Sequence, residues 1–407
     1  MNLPKYLGEG SYGCVHSPPL KCKGEEISNN PNMLSKILTN KNAEIELNEI
    51  SFFSKLDPNN DYHLGKPKLC VADKDSAINR KAIGKCENQE KFNAKNLMKE
   101  KYTLLLMKNG GKSLTDFTEK MNKLVVNIEN KRKVEMFWIE VMKLFNLFVI
   151  LKTQNVLHYD IKCDNLLYDE ATNRINVIDF GSLTKKDKII KKAVKSDLWQ
   201  SIYYFAWPPE TIMYNKNLFL STLKKRNVNE VVEEAMIKAK ITQKIPKYSL
   251  NYFLSLTNSG RNKNAYSDYL NELYRFLLSI DANEENYKKL LGASIETFDS
   301  YGLGVALLAC LHKTEKFISP LLHNNLLKLF QRMISINPFH RGSQEENLLI
   351  YKKCLMLEGL VDNVHMPSQI ITSRTKTPTR PSSIKCKKGF TRNNKNVCVR
   401  NKTKKQK

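Results

Sequence analysis

The most apolar stretch of the chain, residues 134–151, is interrupted by Glu135, Glu140, Lys143 and Asn146 at helical spacing. A helix with such a polar seam buries its other faces in a protein core, because ionised side chains are costly in the middle of a bilayer span. That helix anchors the reading of its surroundings. Asn155-Val156-Leu157 leads from it into a polar loop, and Ile175-Asn176-Val177-Ile178 reads as a short buried strand. Long buried helix and short strand occur together, so the chain mixes α and β structure. A chain of 407 residues can bury a large core in one big domain or two lobes.

Lys and Arg outnumber Asp and Glu by 66 to 41, a formal charge of +25, and the excess is uneven. Residues 373–407 carry thirteen Lys or Arg and no acidic residue, about half of the net charge. The nine cysteines run from Cys14 to Cys398 without the close pairs of a zinc site. Their simplest reading is as reduced thiols in a cytosol. The first residues, MNLPKYLGEG, lack the apolar run of a signal peptide, which makes a soluble, cytoplasmic protein without membrane insertion the expectation.

Chemistry concentrates between the long helix and the short strand. His158-Tyr159-Asp160-Ile161-Lys162-Cys163-Asp164-Asn165 is followed, fourteen residues after Asn165, by Asp179-Phe180-Gly181. Phosphoryl transfer asks for a carboxylate to orient a hydroxyl, a cation to meet developing charge, and oxygen ligands for Mg²⁺. Asp160 fits the first role, Lys162 the second, and Asn165 with Asp179 the third. Near the chain start, Gly8-Glu9-Gly10-Ser11-Tyr12-Gly13-Cys14-Val15 follows the G-x-G-x-x-G-x-V pattern of a hairpin that covers nucleotide phosphates. Alone it is only a glycine-bearing hairpin; its weight comes from the motifs that follow in order.

A phosphate-pairing lysine should follow. Lys21 comes after the Pro18-Pro19 break, so Lys36, inside the strand-like run Met33-Leu34-Ser35-Lys36-Ile37-Leu38, is the better candidate. In the helix expected over 43–56, Glu49 shares a face with Phe52 and Phe53 and is assigned as its partner, with Glu46 and Glu44 as fallbacks. The run 102–107 ends at Asn109-Gly110-Gly111, so Leu106, Met107 and the residues up to Gly111 could form an extended hinge against an adenine ring.

Three further motifs lie downstream: Trp207-Pro208-Pro209-Glu210, Asp299-Ser300-Tyr301-Gly302-Leu303-Gly304 and Asn337-Pro338-Phe339-His340-Arg341. With them, the chain from Gly8 to about Leu357 resembles the eukaryotic-type Ser/Thr protein kinases. The resemblance implies a two-lobed α+β fold, with a small β-rich N-lobe and hinge over 1–111 and a large helical C-lobe over 112–360. It also implies ATP and Mg²⁺ as cofactors and protein substrates. Glu210 would pair with Arg341, and Asp299 would brace the backbone around His158. Lys162 favours Ser or Thr over Tyr as acceptor.

The departures are informative. Tyr159 replaces the arginine that in such kinases holds a phosphate on the activation segment, so activity is expected without phosphate on Thr184, Ser196 or Ser201. Lys185, Lys186, Lys188, Lys191, Lys192 and Lys195 face only Asp187 and Asp197. This strip is either solvated surface or a steering patch for acidic substrates. Residues 211–298 form an insertion with helical periodicity over 228–239 and 266–280 and a turn signal at Asn258-Ser259-Gly260.

Residues 361–407, rich in Thr, Ser, Pro and Lys, read as a basic tail without regular structure, a candidate contact for nucleic acid or another polyanion. Its Cys386-to-Cys398 module and the Pro18-Pro19-Leu20-Lys21-Cys22 stretch are similar to sequences in proteins of giant nucleocytoplasmic large DNA viruses. That likeness implies the host cytoplasm or the virion as location. The alternatives to an active kinase are a binding scaffold of pseudokinase type and a nucleic-acid-binding protein dominated by its tail.

Overall fold

The computed structural model describes residues 4–9, 13–25, 30, 32–196, 204–242, 265–362, 390–392 and 398–400. The chain divides into two compact units, Met1–Val361 and Asp362–Lys407.

The first unit opens with a five-stranded antiparallel sheet made of β1 (Lys5–Glu9), β2 (Gly13–Ser17), β3 (Met33–Thr39), β4 (Lys68–Val71) and β5 (Tyr102–Lys108), in the order β1-β2-β3-β5-β4. Successive residues of a strand point to opposite faces, and both faces of β3 are covered, which explains its nearly continuous apolar run. Ile37 packs with Ile83, Phe92 and Leu97 beneath helices α2 (Ala77–Ile83) and α3 (Ala94–Met98). Leu38 packs with Leu105 and with Ala43 of α1 (Asn40–Leu56) on the other face. The Thr39 hydroxyl accepts the Asn42 N–H and starts α1. Gly13 is needed for closeness: a Cβ there would lie 2.6 Å from the Ile37 carbonyl oxygen on β3.

The remainder of this unit is mostly helical. α4 (Leu114–Lys123) and α5 (Ile128–Thr153) pack with helices Phe298–Thr314, Pro320–Met333 and Gln344–Leu357 around one core. Trp138 stacks on Phe330, Phe145 stacks on Tyr351, and the Tyr351 hydroxyl donates to the Trp138 carbonyl. Burying side chains of this size contributes about 1.5–3 kcal/mol each. The polar seam of α5 is partly internal: Glu140, 8% exposed, accepts the Ile175 N–H and an ion pair from Lys143. It thereby ties the helix to a small sheet of β6 (Lys112–Ser113), β8 (Leu166–Asp169) and β9 (Arg174–Val177). A two-stranded pair joins β7 (Val156–Leu157) to β10 (Thr184–Lys185), which runs into α6 (Lys186–Val194).

Residues 211–298 contribute α7 (Lys216–Lys225), α8 (Val228–Thr242) and helices Ala265–Leu278 and Glu284–Glu296. Asn258-Ser259-Gly260 lies outside the described residues. Tyr287 packs on Phe219 and its hydroxyl donates to the Tyr214 carbonyl within the segment, and the segment is no peripheral appendage, because Ser294 donates to Glu210 and Glu296 pairs with Lys186 of α6.

Two sequence expectations are corrected. Four of the nine cysteines are not free thiols: Cys14 is bonded to Cys86 and Cys22 to Cys70. Chain reversal between β2 and the segment after α2 brings Cys14 and Cys86, 72 residues apart, to a Cα separation of 6.0 Å, inside the range a disulfide needs. Cys163, Cys310 and Cys354, all in the helical part, remain reduced. The tail, read as lacking regular structure, contains an antiparallel pair of β11 (Phe390–Arg392) and β12 (Cys398–Arg400). Among the described residues no helix is long and apolar enough to cross a membrane.

Candidate functional site

The loop between β7 and β8 carries the densest polar constellation. Its backbone is set from behind: Asp299, at the start of helix Phe298–Thr314, accepts the N–H groups of His158 at 2.8 Å and Tyr159 at 3.0 Å. Burial raises the Asp299 pKa, while His158 and the two N–H donors oppose the rise. His158 is fully buried against Phe180, and burial lowers its pKa, which favours the neutral imidazole.

On the open side of the loop, Asp160 Oδ2 receives two donors, Lys162 Nζ at 2.9 Å and Asn165 Nδ2 at 3.1 Å. Asn165 also donates to the Asp160 carbonyl at 2.9 Å. These contacts fix the orientation of the carboxylate. Lys162 is held from the far side by the Tyr204 hydroxyl, 3.2 Å from Nζ, and its ammonium lies 5.8 Å from the centre of the Tyr204 ring. Burial would lower the Lys162 pKa, but Tyr204 and Asp160 outweigh it and hold the group above its ordinary value. Sequence reasoning missed Tyr204, which follows a stretch of the chain with no motif of its own.

Asp179 follows β9 with a left-handed backbone, φ 62°, and accepts the Gly181 N–H. Phe180 turns inward and stacks on Phe53 of α1 at 4.1 Å. A buried relay supports that contact: His63 donates toward Asp57 at 2.7 Å, lies 2.9 Å from Ser54 Oγ, and presents its ring edge to Phe53 and Phe180. The relay resembles a nucleophilic triad only in residue type. Ser54 donates to the Ile50 carbonyl one helical turn back, and Asp57 accepts the N–H groups of Asp61 and Tyr62, so the string braces the end of α1.

Lys36 projects from β3 toward α1, and here the sequence assignment is corrected. Its partner is Glu46, with Nζ 2.8 and 2.7 Å from the two carboxylate oxygens, and not Glu49. Glu46 and Glu49 lie on one face about 4.5 Å apart along the axis. The short connection at Thr39 sets Lys36 against the earlier turn. Glu49 is left nearer Asp179, and burial followed by the charges of Glu46 and Asp179 raises its pKa, against the pull of Lys36.

The remaining predicted positions are distributed as follows. Gly8 and Val15 lie on the paired strands β1 and β2, with Val15 opposite Lys36 in the sheet. Gly10 and Ser11 lie outside the described residues. Leu106 and Met107 sit in β5, paired with Ser35 and Leu34, so the strand extends past the start of the proposed hinge. The connector shortens to the turn after Lys108, where Gly111 has φ +93° and a Cβ would lie 2.2 Å from the Tyr168 carbonyl oxygen.

Farther out, the Glu210 carboxylate meets Arg341 in a bidentate pair at 2.6 and 2.8 Å with both side chains fully buried. Ser294, from helix Glu284–Glu296, donates to the same carboxylate, so the 211–298 segment helps build this support. Tyr159 stacks on Phe298 at 4.3 Å, packs on Trp207, and its carbonyl accepts the Trp207 indole N–H. Aromatic packing therefore links this loop to the segment before Glu210.

The donor set suits a hard divalent cation: Asn165 and Asp179 offer oxygen, and among the described residues Asp179 has no ion pair. No protein-family model matches the chain, and no curated protein matches it.

Proposed function

We propose that the chain is a protein kinase with the two-lobed fold of that family, transferring the γ-phosphoryl group of ATP to Ser or Thr hydroxyls of proteins. One observation carries the reading. Asp160, Lys162 and Asn165 form a hydrogen-bonded cluster on a loop braced by Asp299, while the Lys36–Glu46 pair and Asp179 come from separate elements. A fold has no need of so many charged groups on neighbouring elements. Phosphoryl transfer uses each of them.

Asp160, held by two donors, would orient the acceptor hydroxyl and accept its proton. Lys162, kept cationic by Asp160 and Tyr204, would stabilise charge on the transferred group. Lys36, positioned by Glu46, would pair the nucleotide phosphates beneath the β1–β2 hairpin. Asn165 and Asp179 would hold Mg²⁺, which supplies charge neutralisation on the phosphate oxygens. The test is phosphoamino-acid analysis of mixed protein acceptors incubated with the full chain, ATP and Mg²⁺. Phosphoserine and phosphothreonine are expected. Phosphotyrosine alone, or label confined to small molecules, contradicts the reading.

A further inference from the structure

The helix α6 presents a cationic groove that none of the proposed phosphoryl-transfer roles uses. Lys185, Lys188, Lys191, Lys192 and Lys195 line a groove of about 600 Å³ together with Asn155 and a single carboxylate, Asp187. The inward face of α6 is ordinary core: Ile189 and Ala193 are buried, and buried Lys186 pairs with Glu296 at 2.8 Å. The outward lysines are different. Lys188, Lys191, Lys192 and Lys195 stand at i, i+3, i+4 and i+7, and none makes an ion pair among the described residues. Some lysines elsewhere on the surface are matched, as Lys21 with Asp73, Lys120 with Glu170, Lys152 with Glu345 and Lys313 with Glu119; what sets the α6 row apart is that four lysines share one groove with a single carboxylate.

Like charges three and four residues apart cost a helix a few tenths of a kcal/mol per pair, and among the described residues no carboxylate forms an ion pair with these. The groove is also well placed. α6 lies on the connection from Asp179 to Glu210 that also carries Tyr204, the partner of Lys162, and Asn155 is five residues before Asp160.

We infer that this groove binds an anionic segment of the protein substrate, carrying carboxylates or phosphates, and so makes the enzyme selective for acidic flanks. The lysine row spans about 10 Å along the helix, the length of roughly three residues of extended peptide. A duplex nucleic-acid site is commonly larger, about 600–1,000 Å² even for a single module, and the row is too short to follow one. The inference rests on the proposed kinase activity for its purpose but not for its binding.

The test uses the full chain carrying Asp160→Ala and the same chain with Lys188, Lys191, Lys192 and Lys195 all changed to Ala, substitutions that favour an exposed helix. Fluorescence anisotropy is read with a labelled serine peptide flanked by Glu, its phosphoserine-flanked form, a Gln-flanked form, and a single-stranded oligonucleotide of matched charge. The basic tail is present in both proteins and cancels. Expected is about tenfold or greater preference for either anionic peptide over the Gln-flanked form at low salt, collapsing toward one in the quadruple variant. Equal binding by the two proteins, or an oligonucleotide preference that depends on the four lysines, overturns the inference. Running the peptides as substrates of the chain with Asp160 intact separates the two claims. Binding without transfer refutes the kinase reading and leaves the groove, whereas transfer with equal kcat/KM on acidic and neutral peptides refutes the groove and leaves the kinase.

Discussion

Removing the Cys14–Cys86 bridge should destabilise the first unit by an amount that chain geometry sets. The bridge spans 72 residues, of which the nested Cys22–Cys70 bridge already closes 48. The remaining loop of about 24 residues corresponds to about 3.5 kcal/mol of closure entropy in the unfolded chain. At about 2 °C per kcal/mol for a unit of this size, Cys14→Ala/Cys86→Ala should melt about 7 °C below the parent. The loss should reach nucleotide affinity as well. The bridge stands beside two other ties on the hairpin, in which Glu9 accepts the Glu87 N–H and the Tyr6 hydroxyl donates to Glu87. The assay is thermal unfolding of parent and variant with and without dithiothreitol, with peptide mapping of the non-reduced parent. Dithiothreitol should lower the parent melting temperature at least to that of the variant and leave the variant affected only through Cys22–Cys70. A parent melt indifferent to reductant, with Cys14 and Cys86 recovered as alkylated thiols, would refute the reasoning.

Three further outcomes separate the roles of individual carboxylates. Glu46→Gln should lower kcat/KM for ATP far more than Glu49→Gln, because only Glu46 bonds Lys36; the reverse order in steady-state kinetics would restore the pairing expected from sequence. Glu210→Gln leaves Arg341 buried without its counter-charge and should cost about 3–5 kcal/mol in chemical denaturation, so a loss below about 1 kcal/mol would show that the pair is solvated. Burial would raise the Asp57 pKa, but the His63 and backbone hydrogen bonds prevail and hold it below its ordinary value of 3.8. Its stabilising contribution is therefore full above that value and lost as pH falls through the lower folded value. The difference in melting temperature between parent and Asp57→Asn should be constant from pH 7 to about pH 5 and shrink below about pH 4; a difference unchanged at pH 3 would contradict this.

Local signals carried much of the site into view. Strand β3 around Lys36, the loop from His158 to Asn165 and the strand leading to Asp179 each announce themselves by short-range pattern, and the structure gives each the local form expected of it. What escaped depends on long-range geometry. Glu46 and Glu49 share a helix face, and only the docking of β3 against α1 decides which meets Lys36. The disulfides join residues 72 and 48 apart, and no local pattern marks partners at such distances. Tyr204 and Ser294 have unremarkable neighbours in sequence, and each gains meaning from a contact, with Lys162 in one case and Glu210 in the other. The insertion read as helical from its periodicity, yet its periodicity gave no hint that helix Glu284–Glu296 reaches the Glu210–Arg341 pair.

The central claim is phosphoryl transfer directed by Asp160. Incubation of the purified full chain and of Asp160→Ala with γ-labelled ATP, Mg²⁺ and a protein acceptor tests it most directly. The account predicts label in the acceptor from the parent and a loss of at least about a hundredfold with Asp160→Ala, while Asp160→Ala keeps the parent's melting temperature within a few degrees. Equal transfer by both proteins, or none by a folded parent, would contradict it.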